Sequence, residues 1–148
     1  MYMNKYQKIF IVFALFLTLF TGCTQTKPDS QEIKELPENA EKIVSLALNS
    51  ISGTFTHGEL TLADKGYIIF DIQLDSGSIK TLGIKDVSID ALVCSVEKPQ
   101  TALYNSAIYE YNADSEYKLS FTDAKDAIGT LTIYFVKDST AENENPPE

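Results

Sequence analysis

The chain has 148 residues, a formal net charge of −9, one histidine, two cysteines and no tryptophan, and each of its 12 cationic side chains is a lysine. That length fits one domain with a real core. The charge argues against nucleic-acid binding, which draws its affinity from cations neutralising phosphates. The missing arginine removes the guanidinium fork that grips a carboxylate or phosphate at two points.

The amino terminus carries Lys5 and Lys8 and no acid, and Ile9 to Phe20 contain no charge, Gly or Pro. A cationic start before a short apolar run has the organisation of a signal peptide, residues 1–22. As a helix the run would rise about 18 Å, short of a hydrocarbon core of roughly 30 Å, so a permanent span is not expected. It ends in Phe20, Thr21, Gly22 and Cys23. This series of apolar residue, small residue, Gly and Cys resembles the signal of bacterial lipoproteins, with Phe where that family most often has Leu. The resemblance implies cleavage before Cys23, a diacylglycerol on its sulfur, fatty acylation of the palmitate kind, and a protein anchored to the cell membrane on its extracytoplasmic side. Two or more acyl chains hold firmly, since each buried methylene contributes about 0.8 kcal/mol. Loss of Lys5 and Lys8 would take the formal charge from −9 to −11.

Residues 23–41 hold five acids, Pro28 and Pro37 among few apolar groups, a composition that cannot offset its ordering entropy and reads as a flexible acidic tether. Next, Ala40, Ile43, Val44, Ala47, Leu48 and Ile51 fall at helical spacing, while Val44, Leu46 and Leu48 also alternate as in a strand. Both readings of residues 38–51 stay open; the β character of the rest of the domain favours the strand.

From residue 42 to 137 the dominant period is two. Ile68, Phe70, Ile72 and Leu74 share one face of Tyr67 to Leu74, between the turn signals Ala63–Gly66 and Asp75–Ser78. Leu131, Ile133 and Phe135 share a face of Thr130 to Val136. Shorter runs occur at residues 53–56, 59–62, 79–84, 87–96, 107–111 and 117–121. About seven to nine short strands with turns every 8–12 residues predict an all-β, antiparallel sandwich or barrel. Residues 138–148, with four acids and two prolines, read as a disordered acidic tail.

The plan of anchored cysteine, acidic tether and one β domain, together with the runs Lys65 to Leu74 and Ala127 to Val136, resembles the small immunoglobulin-like domains of bacterial surface lipoproteins. It implies a β-sandwich and no catalytic residues. The Cys–Trp–Cys pattern of antibody domains is missing.

Few side chains suggest chemistry. Cys94, among Val93, Ser95 and Val96, reads as a buried thiol with no partner once Cys23 is lipidated. His57, beside Glu59, has the chemistry of a general base or half a metal site, against an ordinary exposed turn residue. Asn112, Asp114 and Glu116 alternate like oxygen ligands of a cation, although Tyr117 and Asp123 stand where a calcium loop needs Gly and Glu; a polar hairpin connection is the simpler account. Asp123 and Asp126 form a second acidic pair. Tyr109, Tyr111, Tyr117 and Tyr134 offer an aromatic face for a protein or sugar, against ordinary packing. The sequence thus points to a lipid-anchored, non-enzymatic binding module without cofactor, held by Cys23 and engaging a protein, preferably basic, or an envelope polymer. The alternatives are a solute- or metal-ion-binding lipoprotein using the acidic loops and, least, a small enzyme centred on His57.

Overall fold

The computed structural model describes residues 30–62, 65–107 and 109–139. The signal segment, Cys23 and residues 140–148 of the acidic tail lie outside the described residues. Eight strands follow in order: β1 (Gln31–Ile33), β2 (Glu41–Leu60), β3 (Lys65–Ser78), β4 (Thr81–Asp86), β5 (Ala91–Glu97), β6 (Ala102–Asn105), β7 (Tyr109–Glu110) and β8 (Tyr117–Lys137). Among the described residues there is no α-helix, and the domain they form is all-β.

Every pairing is antiparallel, and all eight strands belong to one sheet. β8 is its spine. Along one edge it pairs with β2, from Glu41↔Phe135 to Leu60↔Tyr117. Along the other it pairs with β4, from Asp86↔Tyr117 to Thr81↔Thr122, and then with β3, from Ser78↔Lys125 to Gly66↔Lys137. β4 carries β5, and β3 carries β6, which carries β1.

The strands are not uniformly short. β2, β3 and β8 run for 20, 14 and 21 residues. Several residues that look like turn punctuation instead bend strands that continue through them. Ser50, Gly53, Asp123, Asp126 and Gly129 all have φ in the left-handed region, and the β2–β8 register shifts around them. A bulge of this kind inserts an unpaired residue and turns the strand without ending it. At Gly129 the choice of residue is forced, because a Cβ there would overlap the Gln73 carbonyl oxygen on β3. Residues 38–51 resolve as strand from Glu41 onward, since β8 supplies a partner along the whole of β2.

The bend curls the sheet over its own inner face. Ile68, Phe70, Ile72, Leu131, Ile133 and Phe135 from the β3 half meet Leu82, Ile84, Val96, Leu119 and Phe121 from the β4 half in one core. Most of these are wholly buried, and each such side chain contributes about 1.5–3 kcal/mol. Ile69 and Val136 are buried as well but lie outside that core, as the two-residue period of a strand requires. The curl brings its two edges together: Ser30, just before β1, donates from Oγ to the Ser95 carbonyl on β5 at 2.7 Å. Residues 31–33, inside the expected tether, are therefore strand β1, paired with Asn105, Tyr104 and Leu103.

Candidate functional site

The residues singled out for nucleophilic chemistry are held apart. Cys94 pairs with Ile84, Ile84 with Leu119, and Leu119 with His57, so three strand spacings, about 14 Å, separate thiol and imidazole. His57 is exposed on β2, on a strand and not in a turn. Cys94 is 3% exposed, and burial pushes its thiol up to about 12, outweighing hydrogen bonds that favour the thiolate. At neutral pH it is a protonated core side chain, not a nucleophile.

The tyrosines do not form one surface. Tyr111 and Tyr117 are core residues, 6% and 3% exposed. Tyr111 packs against Tyr109 at 5.1 Å, edge-on to Tyr117 at 5.6 Å and edge-on to Phe135 at 5.8 Å, joining the two halves of the curl. Its hydroxyl is buried without a hydrogen bond. The Ser106 Oγ nearby accepts the Ile68 N–H and donates to the Ala107 carbonyl. Burial, the largest cause, pushes the Tyr111 phenol far above the usual tyrosine range. Tyr109 and Tyr134 remain at the half-buried rim.

Two open clefts are formed by charged side chains. The acidic one, about 370 Å³, is lined by Glu59, Asn112, Asp114, Glu116 and Tyr117 at the start of β8. Several of its polar groups are engaged locally. Asn112 Oδ1 accepts the Asp114 N–H at 2.9 Å, the Tyr117 hydroxyl accepts the Asn112 N–H at 2.7 Å, and Glu116 pairs with Lys118 at 2.6 Å. The Glu116 carboxylate in turn holds the Lys118 ammonium up from its usual range. Among the described residues no group of three or more His, Cys, Asp or Glu is arranged to hold a metal ion. The stretch from Asn112 to Glu116 behaves as a self-capped connection. The second acidic pair is engaged too. The Asp123 and Asp126 N–H groups donate to Thr54 and Ser52 hydroxyls, Ser52 donates back to Asp126, and Asp123 pairs with Lys80.

The larger cleft, about 550 Å³, lies beside the bend of β8. Two connections and a bent strand bring a lysine each: Lys80 between β3 and β4, Lys98 after β5, and Lys125 within β8, between Asp123 and Asp126 at its bend. Backbone bonds fix these connections. Lys80 N–H donates to Thr122 O at 3.1 Å and Lys98 N–H to Lys80 O at 2.7 Å. Thr101 Oγ1 accepts from Leu74 N–H at 2.8 Å and donates to Leu74 O at 3.2 Å. Asp75 and Asp123 also line the space, with Leu74, Ile79 and Pro99 as its apolar part. Lys80 is paired with Asp123 at 3.4 Å across a solvated gap. The Lys98 and Lys125 ammonium groups have no carboxylate partner among the described residues, nor do the Ser76 and Ser78 hydroxyls have one.

Sequence reading passed over this cleft because its lysines stand 18 and 27 positions apart with no local motif. The one available signal was that each lysine lies against turn punctuation: after Asp75–Ser78, before Pro99, and between Asp123 and Asp126. Comparison with protein families, with curated proteins and with solved structures returns no match for the chain.

Proposed function

We propose that the chain is a lipid-anchored, extracytoplasmic binding module of the cell envelope, acting without catalysis. The observation that carries the binding reading is the lysine cleft: a solvent-open space on a pinned backbone frame, in which the Lys98 and Lys125 ammonium groups have no carboxylate partner among the described residues and Lys80 has only the solvated Asp123. The first two groups are available to a ligand at no cost of breaking an internal ion pair. The distance between His57 and the disarmed Cys94 supports the same reading against an enzyme built on them. An immunoglobulin-like sandwich is part of this proposal. Its support is the shared core of two half-sheets, although β2 and β8 run through both halves. With only Tyr109 and Tyr134 of the four candidate tyrosines left at the rim, the partner is sought at the cleft instead of through a tyrosine face or net charge.

The anchor is tested by feeding labelled fatty acid to cells expressing the full chain. The native protein takes up label and fractionates with membranes. Cys23→Ser abolishes both, and a Cys23→Ser chain that remains labelled overturns the assignment.

A further inference from the structure

We infer that the lysine cleft binds the phosphate ester of a glycerol- or sugar-sized polyol. This rests on the binding reading above and names its ligand class.

The charge pattern sets the first constraint. Three lysines and two aspartates line the cleft, so it carries a local positive excess in a protein whose formal net charge is −9. At physiological salt the Debye length is about 8 Å, so the acids elsewhere are screened while the lining side chains act at contact. The local sign therefore governs which ligand settles there, and the global sign governs what approaches from afar.

Geometry sets the second. Lys80 and Lys98 arrive from two connections and Lys125 from the bend of β8, as point charges with rotatable donors, around one space. A tetrahedral phosphate presents oxygens in several directions and suits dispersed ammonium groups, which meet it as point charges without an arginine fork. Ser76 and Ser78 add hydroxyl donors to the same wall.

The remaining lining describes the rest of the ligand. Asp75 and Gln100 supply acceptors for hydroxyl groups, and Leu74, Ile79 and Pro99 provide an apolar patch for the C–H face of a polyol. About 550 Å³ leaves room well beyond a bare phosphate ion. Asp123 is the internal competitor: its carboxylate occupies Lys80 at 3.4 Å with both side chains more than half exposed, a pair that an incoming phosphate can exchange with.

The experiment is titration of the full, lipidated chain in neutral detergent micelles, followed by amide NMR at fixed ionic strength. The probes are glycerol 3-phosphate, inorganic phosphate, sulfate, glycerol, and phosphatidylglycerol mixed into the micelle. Glycerol 3-phosphate is expected to shift amides of residues 75–80, 98–101 and 122–126 saturably, and more tightly than inorganic phosphate or glycerol. Lys98→Gln and Lys125→Gln should each weaken it about threefold, the scale of an exposed charge pair. Asp123→Asn, which tolerates the left-handed backbone, should tighten it about as much by freeing Lys80. Equal shifts with sulfate would reduce the effect to screening and overturn the proposal, as would binding of phosphatidylglycerol but not glycerol 3-phosphate. Saturable shifts elsewhere on the sheet would overturn the assignment of the cleft and leave the binding reading standing. If no probe binds, yet native envelope extract shifts the same cleft amides, the ligand class is wrong and the module reading stands; silence with the extract as well overturns both.

Discussion

The acidic cleft at the start of β8 and the lysine cleft at its bend stand at the two ends of β4, separated by six residues or about 20 Å. Both are open and rimmed by charge, yet they hold their shape in different ways. In the acidic cleft Asn112, Glu116 and Tyr117 bond to neighbours within a few positions, so the connection uses its oxygens to hold its own shape. In the lysine cleft the Lys80, Lys98 and Leu74 amides hold the shape, and the Lys98 and Lys125 ammonium groups are left without a carboxylate partner among the described residues. A dense acidic sequence is therefore a poor guide to a site, because nearby oxygens and amides find one another first.

Three changes break or sharpen this contrast. The largest effect is expected from Phe121→Ala. Phe121 lies on β8 between the clefts, 1% exposed and stacked on Phe55 at 5.0 Å, and its removal should cost about 3–5 kcal/mol. If one frame holds both ends, circular dichroism and amide signals from the two clefts lose structure at the same denaturant concentration. Separate transitions would break the comparison into two independent units.

Gly77→Ala should act on one end alone. Gly77 has φ of 77°, and a Cβ there would overlap the Asp126 carbonyl. Backbone strain and overlap together predict a loss of about 2 kcal/mol, with faster hydrogen exchange around residues 76–80 and 123–126 and unchanged exchange at 112–117. Uniform loosening of both ends would contradict the local role.

The smallest effects belong to the acidic end. Asn112→Ala removes the acceptor of the Asp114 N–H and should cost about 1 kcal/mol in chemical denaturation. Millimolar calcium should leave the thermal midpoint of the native chain unchanged, since among the described residues no three acidic groups are arranged to hold a cation. A midpoint that rises with calcium and fails to rise in Asp114→Asn would make the acidic cleft an ion site.

Much of the strand content was legible because alternation survives without knowledge of partners: Ile68, Phe70 and Ile72 announce their face, as do Leu131, Ile133 and Phe135. Strand ends were not. Gly53, Asp123, Asp126 and Gly129 carry the same local chemistry whether the chain reverses or merely bulges, and only the presence of a continuous partner strand separates the two outcomes. The short β6 escaped notice because its residues are all half-buried and show no alternation.

The sequence by itself determined what depends on neighbours along the chain: the two-residue period, the burial of Cys94, the polar connection at residues 112–116, and the resemblance of residues 20–23 to a lipoprotein signal. Tertiary structure alone decided what depends on distant residues meeting. It joined two half-sheets through the bends of β2 and β8, took Tyr111 and Tyr117 into the core, and gathered Lys80, Lys98 and Lys125 around one cleft. Charges that far apart in the chain become neighbours only when the pairings of β3, β4, β5 and β8 fix their connections in space.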